Sequence, residues 1–215
     1  MVSNNDLPIL YYVHDPMCSW CWGFRPVWLD LQGKLKAKVM VRYVLGGLAP
    51  DSDLPMPTGM QRTIRDTWKN IQREIPGTRF NYDFWTVCSP RRSTYPACRA
   101  IIASRMQQPE KDNEMLLAIQ QAYYLNARNP SDLEVLTQVA NSIGLNPELF
   151  VEDVNSEICQ NLLLNELQLA RNMTVNSFPS LVLSYGGIDK VIPINYNDSE
   201  RTFQQIIEGT QAFHE

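Results

Sequence analysis

The amino-acid sequence predicts an α/β fold that is interrupted by a large all-helical insertion. Three observations lead to this prediction. Residues 1–50 alternate strand, helix and strand patterns, residues 51–173 are mostly helical in pattern, and residues 174–215 return to strands followed by one helix. We therefore expect one domain built from residues 1–50 and 174–215, and a helical insertion domain formed by residues 51–173.

The amino-terminal unit has the pattern of strand, helix and strand. The segment PILYYV at 8–13 is apolar, β-branched and aromatic, which is typical of a buried strand. VMVRYVLGG at 39–47 returns to a strand pattern. Between them, apolar residues recur at helical spacing from Cys18 onward: Phe24, Trp28, Leu31 and Leu35. The motif CSWC at 18–21 therefore lies on the turn from the first strand into the first helix.

The predicted insertion contains six helical segments. Two of them show starting signals. Ser131 and Glu134 fit a capping box, and Asn146 fits an N-cap with Pro147 at the first helical position. The six segments are 58–75, 93–107, 109–125, 131–144, 146–150 and 156–172.

The carboxyl-terminal part completes the α/β domain. SLVLSYG at 180–186 and DKVIPIN at 189–195 form a predicted hairpin through Gly186 and Gly187. A closing helix is expected from Ser199, since a charged first turn follows it.

Composition excludes several classes of partner. The chain is 44% hydrophobic and 20% charged, with a net charge of -4 and no basic run, which argues against nucleic acid and anionic membrane surfaces. No apolar stretch reaches the roughly 18 residues of a membrane span. The N-terminus lacks a positive leader and contains Asp6 and Pro8, which does not fit a signal peptide. We expect a cytoplasmic protein without nucleic-acid or membrane partners.

The spacing of Cys18 and Cys21 suits half a metal site, a structural disulfide or a redox pair. Structural disulfides are rare in a reducing cytosol. A zinc site needs four ligands, and the chain offers no second CxxC and only two histidines, His14 and His214. We therefore predict no metal and favour a redox pair. Cys88 and Cys98 are interpreted as reduced residues, although they could form a second pair, and Cys159 is interpreted as a small buried hydrophobic residue.

The position of the motif supplies the redox chemistry. Unpaired N–H groups at a helix N-terminus stabilise an anion, so a thiolate is expected at Cys18. Cys21, one turn further along, is expected to be shielded and close enough to attack a mixed disulfide on Cys18. The sequence thus predicts an exposed nucleophile, Cys18, and a shielded resolving thiol, Cys21.

The sequence resembles the thioredoxin superfamily in two places. One is the strand followed by CSWC at the start of a helix that contains Pro26, and the other is VNSFPSLVL at 175–183. The helical insertion resembles the DsbA family, and DPMCSWCWGF and STYPACRAI look like segments of its cytoplasmic FrnE-type members. The resemblance implies a thioredoxin-like, DsbA-like fold with a cis bond before Pro179, facing the cysteine pair. It implies Cys18 and Cys21 as catalytic residues, and as substrate-binding residues Ser19, Trp20, Phe178 and Pro179.

The resemblance also implies a thiol–disulfide oxidoreductase of the protein-disulfide-isomerase type. Its partners would be protein or peptide thiols and disulfides, and a reductant or oxidant that recycles it. No cofactor is expected, with glutathione as a candidate redox partner. The direction of the redox chemistry is left open, because oxidases, reductases and isomerases use the same two sulfurs.

Two departures from the family pattern affect this expectation. Trp20 stands where DsbA proteins usually have histidine, so we expect a less oxidising pair. Tyr12 stands where the superfamily often has a buried acid that accepts the proton of the resolving thiol. His14 and Asp15 lie nearer, but we interpret His14 as a packed or solvated residue and Asp15 as a turn residue ahead of Pro16. The proton acceptor stays open.

Two other functions remain as alternatives. One is a glutathione-dependent transferase or isomerase, because the kappa-class transferases and chromene-carboxylate isomerases share this insertion architecture. Those enzymes typically carry serine at the position of Cys18, so the intact cysteine pair argues against them. The other is a holdase-like protein that binds peptides without chemistry.

Overall fold

The computed structural model describes residues 7–213. Asp6 and His214, which the sequence analysis used, lie outside the described residues. Four strands form one sheet in the order β2-β1-β3-β4. The strands are β1 (Ile9–His14), β2 (Met40–Leu45), β3 (Ser180–Tyr185) and β4 (Ile188–Ile192). β1 pairs with β2 in parallel and with β3 antiparallel, and β3 and β4 form an antiparallel hairpin.

Helices flank this sheet and fill the interval between β2 and β3. α1 (Ser19–Leu35) connects β1 to β2, and α9 (Ser199–Gln211) follows β4. The helices between β2 and β3 are α2 (Thr58–Glu74), α3 (Phe84–Val87), α4 (Tyr95–Gln107), α5 (Asp112–Tyr124), α6 (Leu133–Ser142), α7 (Pro147–Asn155) and α8 (Glu157–Asn172). A 3₁₀ turn, Pro109–Lys111, precedes α5. The predicted α/β fold with a helical insertion is confirmed.

Of the two helix starts predicted for the insertion, one is confirmed and one is wrong, and the structure adds one short helix that was not predicted. Asn146 caps α7 by accepting a hydrogen bond from the N–H of Leu149 at 2.9 Å. The capping box at Ser131 is wrong, because α6 begins at Leu133 and the Ser131 hydroxyl donates instead to the carbonyl of Ser93 at 2.7 Å. The helix α3 was not predicted, since four residues are too few to show a helical period.

The hairpin turn has the backbone that its sequence predicts. Gly186 and Gly187 have φ angles of 58° and 82°. Two consecutive positive φ angles define the two-residue turn that matches the twist of paired strands, and glycine adopts them without strain.

Of the three hydrophobic clusters in the interior, the smallest packs Val13, Val44 and Val182 of the sheet against Ala170 and Met173, and the two larger clusters divide the rest. One lies between the sheet and the helices α1 and α9, and includes Leu10, Phe24, Trp28 and Ile206. The other fills the helical insertion, and also includes Met17 and Leu45 from the segments that follow β1 and end β2. The carboxyl ends of β1 and β2 therefore face the insertion, and the motif at 18–21 lies at this junction.

An ion-pair network adds polar contacts at the same junction. Glu166 on α8 accepts a hydrogen bond from the N–H of Leu45 at 2.7 Å, and its other oxygen pairs with Arg105 on α4 at 2.6 Å. Arg105 also pairs with Asp112 on α5 at 2.7 Å.

Within residues 7–213, no helix combines the length and apolar character that crossing a membrane requires.

Candidate functional site

The turn that leads from β1 into α1 is held by the buried carboxylate of Asp15. Its Oδ1 accepts a hydrogen bond from the N–H of Met17 at 2.7 Å. Its Oδ2 accepts hydrogen bonds from the N–H of Leu48 at 2.7 Å and from the hydroxyl of Thr94 at 2.6 Å. Asp15 thus joins this turn to the segment after β2 and to the start of α4. This is more than the role of a turn residue ahead of Pro16 that we predicted.

The cysteine pair occupies the N-terminus of α1. Cys18 is the N-cap, and its Sγ accepts a hydrogen bond from the N–H of Cys21 at 3.2 Å. This N–H is one of those that a helix leaves unpaired at its start, where they carry partial positive charge. A thiolate on Cys18 is stabilised by this arrangement. The predicted position of the motif on the strand-to-helix turn is confirmed.

The loop before β3 lies against Cys18. The Phe178–Pro179 peptide bond is cis, and the thiol of Cys18 donates a hydrogen bond to the carbonyl oxygen of Phe178 at 3.3 Å. The predicted cis bond beside the cysteine pair is therefore confirmed. A Cβ atom on Gly46, just beyond β2, would lie 2.0 Å from the ring of Phe178. Only glycine at position 46 leaves room for this ring.

Burial of the two cysteines differs from the prediction in one respect. Cys21 is 1% exposed, as expected for a shielded thiol, but Cys18 is only 4% exposed. The prediction of an exposed Cys18 was wrong, because the loop at Phe178 and the helical insertion both cover it. Burial raises the pKa of Cys21 well above its ordinary value of 9.0, and the contact with Cys18 raises it further. Cys21 is therefore a neutral thiol near neutral pH.

Access to Cys18 runs through a cavity of about 180 Å³. Four of the predicted site residues line it, namely Cys18, Ser19, Trp20 and Phe178. The sequence analysis missed the lining that the insertion supplies, which includes Met56, Ile64, Arg91, Arg92, Thr94 and Tyr123. These side chains belong to several separate segments, and no spacing pattern in a single sequence indicates that they meet.

The two residues between the cysteines contact different parts of the protein. Ser19 accepts a hydrogen bond from the indole N–H of Trp68 on α2 at 2.8 Å. Trp20 is half-buried, and its ring centroid lies 5.0 Å from that of Tyr196 in the segment between β4 and α9. Ser19 is thus fixed against the insertion, while Trp20 forms part of the rim of the cavity.

Tyr12 and His14 do not serve as proton acceptors in this arrangement. Tyr12 stacks on His14 and on Trp28, and burial raises its pKa well above 10.0. Burial lowers the pKa of His14 to about 3, and the positive charge of Arg105 adds to this effect. Of the two readings that the sequence left for His14, packed or solvated, the structure shows the packed one, since the ring is 2% exposed.

Asp15 differs from these two residues because it is a buried acid that acts on the resolving thiol. Burial raises its pKa above the ordinary value of 3.8, and its hydrogen bonds from Thr94, Leu48 and Met17 oppose that shift. Its negative charge is among the causes that raise the pKa of Cys21.

The remaining cysteines are unpaired. Cys88 is half-buried, and Cys98 and Cys159 are buried. The thiol of Cys98 lies 3.7 Å from Oδ2 of Asp15, so it packs against the network around that carboxylate. The interpretation of Cys88 and Cys98 as reduced residues stays a prediction, whereas the expected burial of Cys159 is confirmed. Across the described part of the chain, no group of three or more His, Cys, Asp or Glu is arranged to hold a metal ion.

Comparison with known proteins assigns the family. A family model described as thioredoxin matches residues 11–203. The ClpXP adapter protein SpxH of Halalkalibacterium halodurans is 24% identical over 208 residues, which cover 95% of this chain and 68% of that protein. SpxH of Bacillus subtilis is 25% identical over 174 residues, which cover 80% of this chain and 56% of that protein. The chain thus spans little more than half the length of some of these relatives.

Solved structures show the same architecture. A candidate protein disulfide isomerase from Nitrosomonas europaea matches with a TM-score of 0.83 and 26% identity, covering 97% of this chain and 100% of that one. The cytosolic disulfide reductase DsbM from Pseudomonas aeruginosa matches with a TM-score of 0.71 and 22% identity, covering 96% and 100%. The second likeness shows the fold alone. The family model matches most of the chain, and the matching structures include DsbA oxidoreductases from Streptomyces coelicolor and Xylella fastidiosa. The chain therefore belongs to the thioredoxin family, with a DsbA-like fold.

Proposed function

We propose that this protein is a thiol–disulfide oxidoreductase of the protein-disulfide-isomerase type, with Cys18 as nucleophile and Cys21 as resolving thiol. The family and fold support thiol–disulfide chemistry in general. The observation that carries the specific proposal is the position of the Cys18 sulfur. It lies at the N-terminus of α1, 3.3 Å from the carbonyl of Phe178 and in the wall of the cavity, with Cys21 buried behind it.

The reaction consists of two exchanges at sulfur. In the reducing direction, the Cys18 thiolate attacks a substrate disulfide R–S–S–R′, forms a Cys18–S–S–R bond and releases R′–S⁻. Cys21 then loses its proton, attacks the sulfur of Cys18 and releases R–S⁻. The two electrons that reduce the substrate come from the dithiol, which becomes the Cys18–Cys21 disulfide. Oxidation of a substrate dithiol follows the same steps in reverse.

The second exchange needs a base, because Cys21 is a neutral thiol. Asp15 is the buried carboxylate that acts electrostatically on Cys21, and its raised pKa makes it a better proton acceptor than an exposed aspartate. It would take the Cys21 proton as the Cys18–S–R bond breaks. Its hydrogen bonds from Met17, Leu48 and Thr94 hold it in place for this step.

The proposed setting is the cytoplasm, with protein or peptide disulfides as substrates and glutathione as the redox partner. Two glutathione thiols would return the enzyme disulfide to the dithiol and form one glutathione disulfide, so that atoms and electrons balance. The neutral side chain of Trp20, which adds no positive charge beside Cys18, supports a weakly oxidising or reducing pair. Ser19, Trp20, Phe178 and Pro179 would contact the substrate chain around Cys18.

A trapping experiment tests the proposal. In a Cys21→Ser variant, the first exchange should proceed and the second should not, so a mixed disulfide with a peptide substrate should accumulate on Cys18 and be found by peptide mass mapping. Cys18→Ser should trap nothing and reduce no disulfide. Cys88→Ser is the matched control, because Cys88 is half-buried and lies outside the cavity lining. Equal activity of Cys18→Ser and the wild-type protein would refute the assignment.

A second candidate function rests on the curated relatives, which are named as ClpXP adapters. The protein would then bind a client without exchanging disulfides, like the holdase alternative from the sequence. A Cys18→Ser, Cys21→Ser double variant that still binds and presents a client would support it. The transferase or isomerase alternative is disfavoured by the cysteine pair, and a screen of glutathione conjugation tests it.

A further inference from the structure

The two arginines that line the cavity beside Cys18 differ in their contacts with the rest of residues 7–213. Arg91 and Arg92 both line it. Arg91 pairs with Asp132 at 2.6 Å and donates to the carbonyl of Ser131 at 2.7 Å. The guanidinium of Arg92 has no ion pair and no hydrogen bond with another residue in 7–213, and its side chain is half-buried. Two adjacent arginines therefore differ, since one is engaged in the fold and the other is free to meet a ligand.

The positive charge of Arg92 acts on titratable groups close to the cavity. Burial raises the pKa values of Asp15 and Tyr123, and Arg92 acts against both shifts. Within residues 7–213, Asp15 and Arg92 form no hydrogen bond or ion pair, so the two charges act on each other only at a distance. The wall next to the reactive sulfur thus carries a positive charge that no direct ion pair within residues 7–213 engages, although the chain as a whole has a net charge of -4.

We propose that Arg92 selects disulfide substrates that carry a carboxylate close to their sulfur atoms. The inference rests on the proposed function and adds the substrate class to it. A thiolate on Cys18 repels an anionic disulfide, so such a substrate would react more slowly than a neutral one at an unassisted site. Arg92 offsets this repulsion by binding the carboxylate while Cys18 attacks the disulfide. Arg92 touches the substrate and not the reacting sulfurs, so it is a specificity residue.

The experiment compares three small disulfides of similar size and different charge. They are bis(2-hydroxyethyl) disulfide, which is neutral, 3,3′-dithiodipropionate, which is anionic, and cystamine, which is cationic. Fully reduced protein is mixed with an excess of each, quenched with acid and analysed by mass spectrometry for oxidation of Cys18 and Cys21. Each disulfide accepts two electrons from the dithiol and yields two thiols, so no other reductant is needed. Each rate constant is divided by that of a free neutral thiol, N-acetylcysteine amide, to remove the intrinsic reactivity of the disulfide.

The wild-type protein should favour dithiodipropionate over the neutral disulfide by about fivefold after this correction, and disfavour cystamine by a similar factor. Arg92→Gln should bring all three corrected constants within about twofold of one another, and Arg92→Lys should keep most of the preference. Raising salt from about 50 mM to about 500 mM should weaken the preference of the unmodified protein, which tests the charge without a substitution. Arg201→Gln, on α9 and outside the cavity lining, removes the same charge and should change nothing.

Two results would overturn the inference while leaving the proposed function intact. One is an anionic preference that persists in Arg92→Gln. The other is an equal decrease of the rate constants for all three disulfides in Arg92→Gln. That result would mean that Arg92 contributes to the shape of the cavity and does not select substrates by their charge. A wild-type protein that no disulfide oxidises, the neutral one included, would overturn the proposed function itself and the inference with it.

Discussion

Acid should destabilise this protein through His14, and the size of the effect follows from the burial of its ring. His14 is 2% exposed, stacks on Tyr12 at a centroid distance of 5.1 Å, and has no hydrogen-bond partner for Nδ1 among the described residues. Its pKa is lowered from 6.5 to about 3, first by burial and then by Arg105. The folded state therefore holds a neutral ring at a pH where the unfolded chain binds a proton.

The direction follows from this difference in pKa. Because the folded value lies below the unfolded one, the stability is complete above about pH 6.5 and is lost as the pH falls towards about 3. Between about pH 7.5 and pH 5, protonation of the unfolded chain at His14 should lower the free energy of unfolding by about 2 kcal/mol. The full shift of 6.5 to about 3 corresponds to a loss of about 5 kcal/mol at the acid end.

The assay is urea unfolding followed by circular dichroism at several pH values between about 5 and 7.5, for the wild-type protein and for His14→Phe. Phenylalanine keeps an aromatic ring against Tyr12 and removes the titrating group. The difference between the two proteins cancels the contributions of carboxylates and of His214, which both share. The unfolding free energies of the two proteins should diverge by about 2 kcal/mol over this range. Parallel pH profiles, within about 0.5 kcal/mol, would refute the reasoning.

The other predictions concern the site. In the reduced protein near neutral pH, iodoacetamide should modify Cys18 at least about tenfold faster than Cys21, because Cys21 is a neutral, buried thiol; comparable rates by mass mapping would contradict the roles assigned to them. Trp20→His should raise the reduction potential, measured against glutathione, by about 20–40 mV, since a protonated imidazole stabilises the Cys18 thiolate by about 1–2 kcal/mol. The control Trp20→Phe should leave the potential nearly unchanged. An unchanged potential in a folded Trp20→His variant would refute this prediction. Asp15→Asn should slow the second exchange by about tenfold or more, so that a mixed disulfide on Cys18 persists. Raising the pH should restore part of the rate. If a folded variant resolved the mixed disulfide at the normal rate, Asp15 would be excluded as the proton acceptor. Gly46→Ala should displace the ring of Phe178 and reduce the rate of disulfide exchange. Gly33→Ala is the control: an added Cβ meets nothing within 4 Å there, so this variant should keep its activity and stabilise α1 by about 0.5–1 kcal/mol. Equal activity of the two variants would show that Phe178 does not need its present position.

The sequence by itself determined the elements that depend on local patterns. Alternating and helical apolar spacing placed the strands and most of the helices, because each pattern reflects which side of one element is buried. The same local reasoning placed CSWC at the start of α1 and the hairpin turn at Gly186 and Gly187. The position of Pro179 beside the cysteines came from the family resemblance, and the structure agrees with it.

Tertiary structure decided what surrounds the cysteine pair. Asp15 and Thr94 are 79 residues apart, and Cys18 and Phe178 are 160 residues apart, so no spacing rule relates them. The same long-range packing buries Cys18, which local reasoning placed in solvent, and diverts the Ser131 hydroxyl from a helix cap to the carbonyl of Ser93. Among the described residues, it also leaves Arg92 without an ion pair or hydrogen bond, while Arg91 pairs with Asp132. Helix and strand formation depends mostly on neighbours along the chain. Burial, electrostatics and access to the reactive sulfur depend instead on residues that only the folded chain brings together.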